Sequence, residues 1–74
     1  MKITFFEANE EDIHFFKNNI KDFELEFYDF PLNEERSELI AESDIISVFI
    51  HSKINEKVLK NAKKLKFICT RSTG

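Results

Sequence analysis

Apolar residues fall along this chain in two alternating rhythms. The opening run, residues 2–6, is β-type and leads to Asn9, a helix-capping residue followed by the acidic turn Glu10, Glu11 and Asp12. Acidic side chains suit a helix N-terminus because the backbone dipole is positive there. Ile13, Phe16 and Ile20 then repeat at helical spacing and predict one buried helix face. Phe23, Leu25 and Phe27 alternate with Glu24, Glu26 and Tyr28, the pattern of a half-exposed strand at a sheet edge. Phe30 and Pro31 end that strand, since proline cannot donate to a ladder. Asn33 caps a second helix expected to run to about residue 42, with Leu39 and Ile40 inward. Residues 45–50 are nearly all apolar and read as a central strand covered on both faces. Asn55 caps a third helix, with Ile54 stapling against Leu59 and with Val58, Leu59, Ala62 and Leu65 on its inner side. Residues 67–69 form a fourth strand.

This alternation predicts an α/β fold, βαβαβαβ, around a parallel sheet. The expected strand order is 2-1-3-4, with strand two at an edge and the apolar strands three and four adjacent and central. Seventy-four residues bound this to one small domain of marginal stability, with the outer edge of strand four a template for self-association.

Charge changes the picture only locally. Residues 1–50 carry thirteen Asp or Glu against four Lys or Arg, a balance of −9, whereas residues 51–74 carry +6. A basic tail invites a nucleic-acid reading. Lys57, Lys60, Lys63 and Lys64 are better explained as the solvated face and C-terminal end of the third helix, and no aromatic side chain is interleaved for base stacking. The single cysteine, Cys69, excludes an internal disulfide and multi-cysteine metal frameworks, and within a strand it reads as a small buried hydrophobe. The clustered carboxylates of strand two share their face with no histidine or cysteine, so no metal site is expected. No segment resembles a membrane span or signal peptide, and the expected location is cytoplasmic, with neither nucleic acid nor membrane as a partner.

Ligands of open α/β sheets bind beyond the carboxyl ends of the strands. Those ends are Glu7 and Ala8, Asp29 and Phe30, His51 to Lys53, and Arg71 to Gly74. The last two offer an imidazole, hydroxyls, cations and several backbone amides, an inventory suited to a small carboxylate. Gly74 allows close backbone approach because it has no Cβ. His51 and Ser52 are candidate lining residues, Arg71 is either an anion-steering or a solvated loop residue, and His14 sits at a helix surface. A nucleophile–base pair drawn from Cys69, Ser72, Thr73 and His51 lacks an orienting third group.

Residues 45–53, the helix from Asn55, and residues 65–74 ending Thr70-Arg-Ser-Thr-Gly74 together resemble the D-isomer-specific 2-hydroxyacid dehydrogenases, in particular the D-lactate dehydrogenase-like branch. The first strand and the turn at residues 29–32 fit as well, so the resemblance spans the chain. It implies that residues 1–74 are the N-terminal part of a flavodoxin-like substrate-binding domain. The backbone N–H groups of Ser72, Thr73 and Gly74 would hold the substrate carboxylate. A separate Rossmann domain would bind NAD, and an Arg, a Glu and a His from later sequence would act on the hydroxyl. The implied reaction is reversible hydride transfer between NADH and a 2-oxo acid to give a D-2-hydroxy acid. The implied partners are that small carboxylate, the remainder of the dehydrogenase chain, and a second subunit in a homodimer when full length.

The sequence departs from a whole enzyme in having one glycine and no Gly-x-Gly-x-x-Gly, so the chain reads as the opening piece of a larger protein, inactive by itself and binding no cofactor. The alternative is a free-standing flavodoxin-like module that pairs through exposed sheet edges without catalysis.

Overall fold

Among the described residues seven short elements alternate: β1 (Lys2–Phe5), α1 (Glu10–Asn19), β2 (Glu24–Phe27), a 3₁₀ helix (Glu34–Ile40), β3 (Ile45–Val48), α2 (Glu56–Leu59) and β4 (Phe67–Thr70). The computed structural model describes residues 1–71. All three strand pairings are parallel and the order is β2-β1-β3-β4. Ile3 aligns with Leu25 on one side and Ile45 on the other, and Ile45 in turn aligns with Phe67. The acidic alternation of strand two thus marked an edge, and strands three and four are neighbours as expected.

Asparagine starts every helix. Asn9 accepts from the Asp12 N–H at 2.8 Å while the Asp12 carboxylate takes the Asn9 N–H at 3.1 Å, a reciprocal capping box. Asn33 and Asn55 cap the next two through the N–H groups of Arg36 and Val58. These later helices are tighter and shorter than the sequence suggested. Residues 34–40 wind as 3₁₀, so Ser37 and Ile40, three apart, are both buried on one side. Glu34 and Glu38 would repel at the one-turn spacing of an α-helix. The lysine-rich helix lasts one turn, after which Ala62 N–H bonds the Leu59 carbonyl in a tightened turn. Lys57, Lys60 and Lys64 would otherwise line one face three and four residues apart. Ala62 and Leu65 nevertheless pack on the core, as the apolar spacing required.

The core has two layers, one on each face of the sheet. Phe6, Leu32, Ile40, Ile46, Val48 and Val58 are buried beneath the 3₁₀ helix and α2. Ile3, Phe5 and Ala8 are buried on the opposite face, covered by Ile13, Phe16 and Ile20 of α1. A buried hydroxyl pair, Thr4 Oγ1 to Ser43 Oγ at 2.5 Å, fixes how the start of β3 sits against β1.

One expectation is corrected. β4 pairs with β3 at the outer edge, as the expected order 2-1-3-4 has it and not in the central place its apolar residues suggested, and all four of its residues are exposed, Phe67 to 64%. Cys69 is therefore exposed, not a buried hydrophobe. It shares the α1 side of the sheet through its alignment with Ser47, and α1 packs over β1 and β2, leaving that half bare.

The two apolar strands should therefore respond differently to truncation. Ile46→Ala removes a fully buried side chain and is expected to cost about 2–5 kcal/mol. A chain this size has only roughly 4–11 kcal/mol in total. Ile68→Ala, on the exposed strand, should cost less than about 1 kcal/mol in the same urea titration. Equal losses would show that β4 is covered in solution. Sedimentation across a range of concentrations should reveal self-association through the β4 edge, and a concentration-independent monomer would exclude it.

Candidate functional site at the carboxyl edge

The chain leaves β1 toward β2 but leaves β3 toward β4, so the two adjacent central strands send their connections in opposite directions. This divergence opens a crevice beyond their carboxyl ends, where parallel sheets place ligands. The groups that converge there come from three separated stretches: Glu7 to Asn9, residues 49–53 after β3, and Arg71 after β4.

Glu7 organises the crevice. Its backbone is in the left-handed region, φ 59°, which turns the chain sharply out of β1. A residue with a Cβ adopts this at a cost of about 1–2 kcal/mol. Its carboxylate accepts the Phe49 N–H at 3.0 Å, the His51 N–H at 3.0 Å and the Ser52 hydroxyl at 2.7 Å. The turn after β3 is thus wrapped around one side chain. Partial burial acts to raise the Glu7 pKa, but the hydroxyl and two backbone donors outweigh it and hold the carboxyl below its usual range. Ser52 also accepts the Leu32 N–H at 2.9 Å, linking the turn to the segment after β2.

Arg71 closes the other side. Its guanidinium donates to the carbonyls of Phe6 and Glu7, the latter at 3.0 Å, and to the Ser47 hydroxyl at 3.3 Å. Its own N–H bonds the Val48 carbonyl at 2.9 Å. The side chain reaches from β4 across β3 to the end of β1, so it is a half-buried strut rather than a solvated loop residue. Glu7, Asn9, Asp12, Phe49 and Arg71 surround a cleft of about 290 Å³. A neighbouring cleft of about 350 Å³ includes His51, Asp29 and Pro31 in its wall.

His51 is exposed at this cleft, and Ser52 is held behind it by Glu7 and Leu32. Ser72, Thr73 and Gly74 lie outside the described residues, one step beyond Arg71. His14 is exposed on α1, as its position beside the apolar stripe implied. Among the described residues no group of His, Cys, Asp and Glu could hold a metal ion, and no helix is long and apolar enough to cross a membrane. Sequence reasoning missed the roles of Glu7 and Arg71. The available signal was a charged residue within two positions of the end of each of two strands that flank the same central neighbour.

Residues 3–74 match the family model described as D-isomer specific 2-hydroxyacid dehydrogenase, catalytic domain. The chain belongs to this family. Its fold superposes on D-lactate dehydrogenase from Escherichia coli with a TM-score of 0.85 and 27% identity, over 100% of this chain and 25% of that one. D-Lactate dehydrogenase from Aquifex aeolicus, solved with NAD and lactic acid, gives 0.85 and 30% identity over 97% of this chain and 22% of that one. D-2-Hydroxyisocaproate dehydrogenase gives 0.83 and 28% identity over 100% and 24%. A comparison with curated protein sequences found no match. The chain therefore spans about a quarter of the length of the dehydrogenases it resembles.

Folding favours ionised Glu7, so its contribution is complete above the ordinary carboxylate value of 4.5 and is lost as pH falls through its depressed native value. Glu7→Gln is expected to cost about 1–3 kcal/mol at neutral pH. That difference should shrink below pH 4.5 when urea stability is measured across acid pH. A difference that stays constant into strong acid would show that the carboxylate is not the group responsible.

Proposed function

We propose that this chain is the opening part of the substrate-binding domain of an NAD-dependent enzyme interconverting a 2-oxo acid and a D-2-hydroxy acid. Its role is to hold the substrate carboxylate on the backbone amides of Ser72, Thr73 and Gly74, with His51 lining the approach. The observation that carries this reading is the exit of β4 at the crevice between β1 and β3, in a chain of this family. A run of amides leaving a parallel strand at that point suits an anion, and a carboxylate needs little more than two such donors.

The dinucleotide belongs elsewhere. The helix that follows β1 would have to aim its N-terminus at a pyrophosphate. In α1 that end is taken by the Asn9–Asp12 capping box and surrounded by Glu7, Glu10 and Glu11. These carboxylates repel a diphosphate, and the turn has no glycine for close backbone approach. The residues here do not fit NAD, which supports a separate dinucleotide-binding domain supplying the hydride donor. The exposed edge of β4 favours a second reading, a small module that pairs through that strand.

Two measurements separate these readings. Calorimetry of the 74-residue chain with NADH should give no saturable heat, and pyruvate should bind in the millimolar range or weaker, roughly −4 kcal/mol at best. A dehydrogenase chain that begins with these residues should oxidise NADH with pyruvate or a larger 2-oxo acid and yield the D product. Absence of turnover with any 2-oxo acid would overturn the assignment, and saturable NADH binding by the short chain would overturn the division of labour.

A further inference from the structure

We propose that the β4 edge of one copy of this chain binds the β2 edge of the next, head to tail and in register, so that the sheet continues from copy to copy. The proposal rests on the second functional reading, the module that pairs through β4, and not on the carboxylate loop.

Among the described residues no strand pairs with the outer side of β2 or of β4. On β2, the N–H groups of Glu24 and Tyr28 bond carbonyls of the β1 segment, so Leu25 and Phe27 turn their backbone groups outward. On β4, the Phe67 and Arg71 N–H groups bond the Asp44 and Val48 carbonyls, so Ile68 and Thr70 turn theirs outward. Ile3 aligns with Leu25 and with Ile45, and Ile45 aligns with Phe67, so Leu25 and Phe67 stand at one level of the sheet. Counted from that level, the outward groups of the two edges alternate as Leu25, Ile68, Phe27 and Thr70. A parallel ladder needs this alternation, because each outward residue bonds the two that flank it on the partner strand.

The side chains match in the same register. Phe67 comes beside Leu25 and Cys69 beside Phe27, on the face where β4 is bare and α1 covers β2. The bare flank of one copy thus meets the helix-covered flank of the next. On the opposite face Lys66 comes beside Glu24. Both are exposed, and among the described residues neither is in an ion pair. Lys63 and Asp22 repeat the same opposition of charge just before the two strands. Glu26 is already held by Lys2 at 2.8 Å and by the Tyr28 hydroxyl at 2.7 Å, so it sets no free charge against Ile68. A two-fold β4–β4 pair, in contrast, uses no residue of β2 and stops at two copies, whereas a head-to-tail join leaves a free edge at each end and goes on growing.

Sedimentation of the 74-residue chain at rising concentration should give an average mass that passes that of a dimer and keeps growing. Glu24→Lys and Lys66→Glu should each weaken association about fivefold, since each sets like charges side by side at the join. An equimolar mixture of the two variants should regain the association of the unsubstituted chain, because every join then pairs a lysine with a glutamate. Raising NaCl from about 0.05 to about 0.5 M should weaken association of the unsubstituted chain and strengthen that of either variant alone. Growth that stops at a dimer, unchanged association in Glu24→Lys, or a mixture no better than its components overturns the head-to-tail join while leaving the pairing module intact. A monomer at every concentration overturns the module and this proposal together. If either variant fails to fold, the salt response of the unsubstituted chain decides, and association indifferent to salt overturns the join.

Discussion

A parallel strand must hand its chain to a crossover at its carboxyl end, and at the end of β1 this handover takes three residues, Phe6 to Ala8. Ala8 N–H is already bonded to the Tyr28 carbonyl and Asn9 already caps α1. A left-handed residue makes that corner, and it is Glu7. Glycine would adopt the conformation without steric cost. Glutamate holds it because its carboxylate gains three donors and its carbonyl gains a guanidinium. A hydrogen bond to a charged group contributes about 1.5–3 kcal/mol, and a few of these exceed the strain at one residue.

That corner lies where the sheet reverses the direction of its connections. The reversal also places α1 on one face and the 3₁₀ helix and α2 on the other, giving two apolar layers. The layers are unequal. One buries Phe6, Leu32, Ile40, Ile46, Val48 and Val58, whereas α1 contributes no fully buried side chain and leaves β4 uncovered on its side. The carboxyl edge is therefore supported from below by a dense layer and tied from above by polar side chains.

Much of this was legible in the residues themselves. The three asparagine caps, the apolar run of β3 and the acid-apolar alternation of β2 follow from local rules, and together they led to the strand order. The winding of the middle and last helices was less legible, because like charges at one-turn spacing and tertiary packing settle it together. β4 looked central because Phe67, Ile68 and Cys69 are apolar, yet composition says what a strand prefers and not what lies above it. The Glu7–Arg71 tie was not legible at all. It joins residues at opposite ends of the chain, and its partners are mostly backbone groups that carry no signature in a sequence.

Arg71 reaches carbonyls 64 and 65 positions earlier, nearly the longest separation the chain allows. Contacts of such separation are slow to form because the entropy of closing the loop precedes any gain. At synthesis rates of about 5–20 residues per second, the corner at Glu7 waits roughly 3–13 s before its last ligand leaves the ribosome. The first strand to be made is thus the last to be finished at its carboxyl end. During that interval the carboxyl edge lacks its Arg71 tie, so it is completed late in folding, and a nascent chain would be most open to chaperones and proteases there.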